Sequence, residues 1–189
     1  MIKQVKILVL LTLIVLMVQP LFANAVADKT VAWLMEKGLS PQWIVLIISM
    51  LPIIELRGSI PVAILLFKMS WLQAITLSLI GNMLPIPFIL LFMDGFFLIL
   101  SKNKHGARFT EWLFARTRRK GKSIEKYEAL GLALFVGIPL PGTGAWTGAF
   151  AANIFGIKFW RSLLFIFIGV LLAAAIVLSL SLMGNMAVQ

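Results

Sequence analysis

Residues 52–61 read PIIELRGSIP and lie at the centre of an apolar run from Trp43 to Phe67. The run has 25 residues, and about 20 residues of helix are enough to cross a hydrocarbon core of about 30 Å. Its centre nevertheless carries two prolines, a glycine and two charged side chains. Because proline removes a backbone donor and glycine weakens a helix, the sequence predicts a broken segment here and not a regular span.

The composition places this segment in a membrane protein. Hydrophobic residues make up 61% of the 189 residues and charged residues 13%, and the mean hydropathy is +1.02. A water-soluble globule of this composition would expose large apolar patches and aggregate. The chain has no cysteine, which excludes disulfides, thiol catalysis and cysteine-based metal sites. We therefore interpret the chain as an all-α integral membrane protein.

Three more apolar segments follow the first. The second segment is interrupted at Gly81-Asn82 and again at Pro85-Ile86-Pro87, and the third is interrupted by the run PLPGTG at residues 139–144. The fourth is continuous. These three segments are Trp71–Leu100, Ala129–Phe155 and Phe159–Met183.

Residues 1–25 have the pattern of a secretory signal peptide. Lys3 and Lys6 precede a 12-residue apolar run, and residues 23–25 match the Ala-x-Ala pattern of a cleavage site. The alternative is an uncleaved first transmembrane helix. In either case the chain emerges outside the cell, where we expect residues 26–42 to form an amphipathic helix at the membrane surface.

The distribution of charge decides how the segments cross the membrane. Residues 102–128 hold 12 of the 24 charged side chains, and nine of these are basic. Cytoplasmic loops carry an excess of Lys and Arg, so we expect this basic linker in the cytoplasm, next to anionic lipid headgroups. It reaches the cytoplasm only if residues 43–67 enter and leave the bilayer on the outer side, as a re-entrant hairpin.

The same reasoning gives the two halves of the chain opposite orientations. The stretches that begin at Trp71 and at Phe159 align at an offset of 88 residues. The sequence thus predicts an inverted repeat, an arrangement found in many secondary transporters. The predicted parts are a first half, 43–101 (re-entrant 43–67, span 71–100), the linker 102–128, and a second half, 129–189 (re-entrant 129–155, span 159–183).

Glu55 and Arg57 are the most informative candidates for a functional site. Charged groups at bilayer depth are costly, so they are usually paired, hydrated or functional. In the functional interpretation, Arg57 holds an anionic group of the substrate and Glu55 takes up and releases a proton. In the alternative interpretation, the two side chains form a structural pair that ties one hairpin tip to the other.

The interruption at residues 139–144 has no charge, but its glycines leave backbone amides that can cradle a phosphate or carboxylate at a helix N-terminus. The alternative is close helix packing through Gly144 and Gly148. For Asn82 the alternative role is to satisfy backbone groups that are freed at a kink. The candidates for substrate binding and proton coupling are Glu55, Arg57, Gly58, Pro61, Asn82, Pro139, Pro141, Gly142, Thr143, Gly144, Trp146 and Thr147, with Asp94 as a secondary candidate.

No enzyme motif is present in the sequence. It lacks the Gly-x-x-x-x-Gly-Lys-Ser/Thr phosphate loop, which excludes ATP-driven pumping by this chain, so uphill transport must draw on an ion gradient. It also lacks a His-Glu-x-x-His motif and any cluster of carboxylates. We therefore expect no enzymatic activity, no cofactor and no metal site.

The interrupted stretches resemble the small multidrug export protein family of bacteria and archaea. The resemblance rests on PIIELRGSIP at residues 52–61, on Gly81-Asn82 and on PLPGTGAWTG at residues 139–148, and it covers the chain from Trp43 onward. That family is similar in turn to the DedA, or VTT-domain, superfamily. This likeness implies opposed re-entrant hairpins, and functions in lipid translocation and proton-dependent drug tolerance. The second hairpin here lacks the arginines usual in that superfamily.

The sequence therefore predicts a small proton-coupled transporter in the inner membrane of a bacterium or archaeon, with its site between the two hairpins. We expect a homo-oligomer, because four membrane elements are few to surround a transport path. The expected partners are membrane lipids and a small-molecule or lipid substrate, and not nucleic acid. Two alternatives stay open: a flippase or scramblase for a lipid carrier such as undecaprenyl phosphate, and a non-transporting membrane scaffold.

Overall fold

The computed structural model describes residues 26–103, 107–108, 111, 129–139 and 142–188. Within these ranges the chain forms helices and connections, with no strand. The predicted signal peptide, most of the basic linker and Pro141 lie outside the described residues. The helices are α1 (residues 26–36), α2 (Pro41–Met50), α3 (Glu55–Pro61) with a π-helix (Val62–Leu66), α4 (Trp71–Met83), α5 (Ile86–Leu100), α6 (residues 129–137), α7 (Ala145–Ile154) and α8 (Phe159–Val188).

Two helical stretches are long and apolar enough to cross a bilayer. They are Trp71–Met93, with 23 residues and a hydropathy of 2.0, and Phe159–Met183, with 25 residues and a hydropathy of 3.0. Most of each stretch faces away from the rest of the protein. The first stretch covers residues 71–93 of the span predicted at 71–100, and the second coincides with the span predicted at 159–183.

The interruption predicted at Gly81-Asn82 is wrong. Helix α4 continues through both residues to Met83, and the helical stretch is interrupted only at residues 84–85, before α5 begins at Ile86. Gly81 serves close packing instead, since a side chain at this position would overlap Ser49 Oγ and the carbonyl oxygen of Leu46 on α2. A glycine inside a helix is tolerated where another backbone approaches this closely.

The break between Trp43 and Phe67 is limited to four residues around Pro52 and does not extend to Pro61. Helix α2 ends at Met50, residues 51–54 form a turn, and α3 begins at Glu55. Gly58 and Pro61 lie inside α3, and the helix widens into the π-helix directly after Pro61. Such widening is a common accompaniment of an irregular helix. At 1.5 Å per residue, α2 is only about 15 Å long, which is half of a hydrocarbon core.

The helices of both halves share one apolar core. Helix α3 packs against α2, α4 and α8, while α7 packs against α5 and α8. Helix α1 packs on α2 through its buried side chains Ala27, Val31 and Leu34. The buried residues at the centre of the core include Leu56, Ile60, Ala149, Ile166 and Val170.

The order of helices in the first half recurs in the second. A short helix, a break, another short helix and a long helical stretch follow one another in each half. In the first half they are α2, α3 and the stretch Trp71–Met93, which begins with α4, and in the second half they are α6, α7 and α8. Helix α8 begins 88 residues after α4, at the offset that the sequence predicts. The inverted orientation of the halves, the re-entrant paths and the membrane side of each segment stay predictions.

Candidate functional site

The two breaks in the helices meet inside the protein. The first break is residues 51–54, between α2 and α3, and the described residues of the second, between α6 and α7, are 138–139 and 142–144. Hydrogen bonds from Arg57 to Thr143 and from Trp146 to Glu55 join the two breaks. Candidate residues about 90 positions apart in the sequence therefore belong to one site.

Glu55 begins α3 and is buried, with only 5% of its surface exposed. Its backbone has a φ of 50°, a left-handed conformation that is uncommon outside glycine and is found preferentially at functional sites. The carboxylate lies at the N-terminus of α7, where Oε1 accepts a hydrogen bond from the backbone N–H of Trp146 at 3.4 Å. The partial positive charge of a helix N-terminus stabilises a carboxylate in this position.

Gly144 is the residue that lets Glu55 approach α7. It has a φ of 146°, and a Cβ atom here would overlap both carboxylate oxygens of Glu55. Gly148, one turn along α7, faces Val136 of α6 in a similarly close contact. Of the two roles open for this segment, Gly148 therefore serves helix packing, while Gly144 serves the contact with the acidic side chain.

Arg57 connects α3 to the second break. Its Nη2 donates a hydrogen bond to Thr143 Oγ1 at 2.8 Å, and this hydroxyl donates to the carbonyl oxygen of Ile138 at 2.8 Å. A hydroxyl can accept one hydrogen bond and donate another at the same time. Arg57 also attracts the carboxylate of Glu55 electrostatically. The guanidinium is thus held between the acid of its own helix and the opposite break.

Trp146 ties α7 to the end of α2. Its indole Nε1 donates to the carbonyl oxygen of Met50 at 3.1 Å. Met50 is the last residue of α2, and carbonyls at a helix C-terminus have no partner within their own helix. Thr147 Oγ1 donates to the carbonyl oxygen of Gly144 at 3.2 Å, so its hydrogen bond stays within the second half.

The remaining candidates lie beside this contact or away from it. Pro139 and Gly142 are in the second break, and Gly142 has a φ of 77°. Gly58, on α3, leaves room for the side chain of Ile54. Asp94 is on α5, but its side chain lies outside the described part of the chain, as does Pro141. Pro61 is inside α3.

Asn82 is completely buried on α4, at 0% exposure. Within the described residues, neither its Oδ1 nor its Nδ2 has a hydrogen-bond partner. The interpretation in which Asn82 satisfies backbone groups at a kink is therefore wrong for the described residues, because the amide bonds to no group of the described backbone.

A buried polar pair between α3 and α4 was not among the residues predicted from the sequence. Ser59 Oγ donates to Ser78 Oγ at 2.7 Å, and both residues are fully buried. Ser59 follows Glu55 by four residues and Ser78 precedes Asn82 by four, so each shares a helix face with a candidate. The four-residue spacing could have identified both serines from the sequence. The carbonyl of Met50 offered none, because backbone groups are present at every residue.

The site combines a carboxyl group, a guanidinium cation and a helix N-terminus in an apolar surrounding. Arg57 and the N–H groups of α7 can hold an anionic group, and Glu55 can exchange a proton. Among the described residues, no three His, Asp or Glu side chains lie close enough together to bind a metal ion. The site therefore offers charge pairing and proton exchange within its described part, and the expected lack of metal and cofactor stays a prediction.

Comparison with known proteins gives one family. The model of the family described as "Putative small multi-drug export protein" matches residues 55–176, about two thirds of the 189 residues. The match begins at Glu55 and ends within α8. No curated protein and no solved structure matches the chain. The predicted resemblance to this family is confirmed, and the relationship to the DedA superfamily stays a prediction.

Gly144→Ala is expected to lower the free energy of unfolding by about 1–3 kcal/mol, because the methyl group overlaps the Glu55 carboxylate and the backbone conformation disfavours alanine. Gly131→Ala is the matched control, since nothing lies within 4 Å of a Cβ atom there and alanine favours the helix. Thermal unfolding of the purified protein measures both changes. Equal stability of the two variants would contradict the contact between Gly144 and Glu55.

Proposed function

We propose a function from one premise: the chain belongs to the family of small multi-drug export proteins. We propose that it exports small molecules across a cell membrane, with its substrate site where the two breaks meet and with proton uptake at Glu55 as the source of energy. One observation carries this proposal, namely that a buried carboxylate and a guanidinium from one half hydrogen-bond the Trp146 N–H and the Thr143 hydroxyl of the other half.

The cost of burying charge supports a functional role for this pair. Ionisable groups inside a membrane protein are expensive and usually mark a substrate or proton pathway. Helix α2 spans about 15 Å, so a hairpin of α2 and α3 that enters from one surface would place its tip near the middle of the bilayer. Secondary transporters bind substrates at this depth, between broken helices of two repeats. In our proposal, both hairpins are re-entrant and enter from opposite sides.

In the proposed cycle, Glu55 controls whether the two breaks stay together. As a carboxylate it accepts the N–H of Trp146 and attracts Arg57. Uptake of one proton removes this negative charge, weakens the contact with α7 and leaves Arg57 available to an anionic group of the substrate. Release of the proton restores the original contact and displaces the substrate. Because the acid and the substrate compete for the same groups, proton movement and export are coupled.

The direction of insertion follows from charge. In the proposed orientation, the nine basic residues of the linker, together with Lys158 and Arg161, are cytoplasmic, while Lys29, Lys37 and Lys68 are outside. This arrangement obeys the positive-inside bias. The apolar outward faces of the two long helices contact lipid, and the linker contacts anionic headgroups.

Glu55→Gln is expected to reduce pH-driven transport by about tenfold or more, because the amide cannot take up or release the proton. The measurement is uptake of a fluorescent sulfonate, sulforhodamine B, and of a fluorescent phospholipid analogue into proteoliposomes with an imposed pH gradient, since both probes carry an anionic group that Arg57 can bind. Glu36→Gln is the control, since Glu36 is exposed on α1 and its substitution is expected to leave transport unchanged.

Equal proton-driven transport by the wild type and the Glu55→Gln variant would contradict the coupling role of Glu55. Transport of the phospholipid analogue alone, without sulforhodamine B, would favour the flippase alternative over export of small molecules. Folded protein that moves neither probe would favour the scaffold alternative.

Ser123→Cys, in the basic linker, is expected to react with a membrane-impermeant maleimide only after cells are permeabilised. The chain has no native cysteine, so each introduced thiol reports one position. Ser40→Cys, directly before α2, is expected to react in intact cells. Labelling of both positions from the same side would contradict the opposite orientation of the two halves.

A further inference from the structure

Asn82 is an exception among the polar side chains of the described core. Ser49, Ser162 and Ser181 are buried too, but each of their hydroxyls donates to a backbone carbonyl of its own segment. Asn153 Nδ2 donates to the carbonyl oxygen of Leu90. The amide of Asn82 has neither kind of partner within the described residues, although no part of it is exposed.

A buried amide without partners is unfavourable, because its carbonyl and its NH₂ group lose their hydrogen bonds to water. Buried polar groups in native proteins almost always have partners in the protein or in bound molecules. Leucine has the same branched arrangement of four side-chain heavy atoms and would avoid this cost. The amide at position 82 therefore points to a bound group that both donates and accepts hydrogen bonds.

The register of α3 and α4 places Asn82 beside the site described above. A short connection joins the end of the π-helix to α4, and the Ser59–Ser78 hydrogen bond fixes which residues of the two packed helices face each other. If one moves one helical turn back along α3, the next residue on that face is Glu55. One turn forward along α4, the next residue is Asn82. In two antiparallel helices these steps run in the same direction, so Glu55 and Asn82 lie at the same level.

We infer that Asn82 binds a small neutral group that carries both a donor and an acceptor, at the level of Glu55. Such a group is a hydroxyl or amide of the substrate, or a water molecule that occupies the same position. If the bound group belongs to the substrate, the inference rests on the proposed function. If the bound group is water, it does not. Arg57 and the N-terminus of α7 recognise charge, and Asn82 adds recognition of a neutral polar group.

This inference names a substrate class. The transported molecule carries a hydroxyl or amide and is not recognised by charge alone. A site built to hydrogen-bond such a group rejects analogues that lack it, because its own buried polar atoms would be left without partners. Compounds with a hydroxyl or amide are therefore expected to bind more tightly than purely apolar ions of similar size.

The test is thermal unfolding of the purified wild type, of Asn82→Leu and of Asn82→Ala, without a probe and with either chloramphenicol or tetraphenylphosphonium. Chloramphenicol carries hydroxyl and amide groups, and tetraphenylphosphonium carries neither. We expect chloramphenicol to stabilise the wild type, and we expect both Asn82 variants to weaken its binding about tenfold or more. We expect any stabilisation by tetraphenylphosphonium to be the same in all three proteins. Asn82→Ala adds no volume, so a loss seen in both variants is not an effect of crowding.

Asn153→Leu is the control, because it removes a partly buried amide whose partner, the Leu90 carbonyl, belongs to the protein. It is expected to lower the unfolding temperature and to keep the chloramphenicol response. If chloramphenicol has no specific effect but both Asn82 variants unfold at a lower temperature, the bound group is water. If both variants unfold at a higher temperature and respond to chloramphenicol as the wild type does, nothing binds Asn82 and the inference is overturned. None of these readouts needs transport, so they stand apart from the test of proton coupling.

Discussion

The contact between the two broken segments is the constraint on which the rest of this structure depends. The acid at position 55 is buried and the guanidinium at position 57 is partly buried. The opposite half supplies a hydrogen bond to each of them, from Trp146 and Thr143 respectively. If the halves were apart, each would expose unpaired charge or unpaired backbone to an apolar surrounding, which is unfavourable. The same groups therefore hold the fold together and form the candidate site.

Small residues make this contact possible. Gly144 lets the carboxylate reach the end of α7, and Gly81 brings α4 against α2, behind the first break. Where helices pack within a membrane, small residues of this kind permit close backbone approach. A site that depends on such fit is sensitive to small shifts. In the proposed cycle, this sensitivity lets the protonation of one carboxyl group loosen the joint between the halves.

The sequence was sufficient for the features that depend on local chemistry. Hydropathy and length predicted the two long helices, and Pro52 and the PLPGTG run marked both breaks, because proline and glycine act on their own backbone. The prediction failed at Gly81-Asn82, because a glycine inside a continuous helix lets the neighbouring helix α2 pack closely against it. It could not pair Arg57 with Thr143, since that contact depends on how segments far apart in the sequence pack. It also missed the Ser59–Ser78 bond.

A double-mutant cycle with Arg57→Met and Thr143→Val tests the contact between the two breaks most directly. The free energy of unfolding is measured for the wild type, both single variants and the double variant. If the guanidinium binds the Thr143 hydroxyl, the two losses are not additive, and the coupling energy is about 1–3 kcal/mol. Strictly additive losses would mean that the two side chains do not interact, and would contradict a single site built from both halves of the chain.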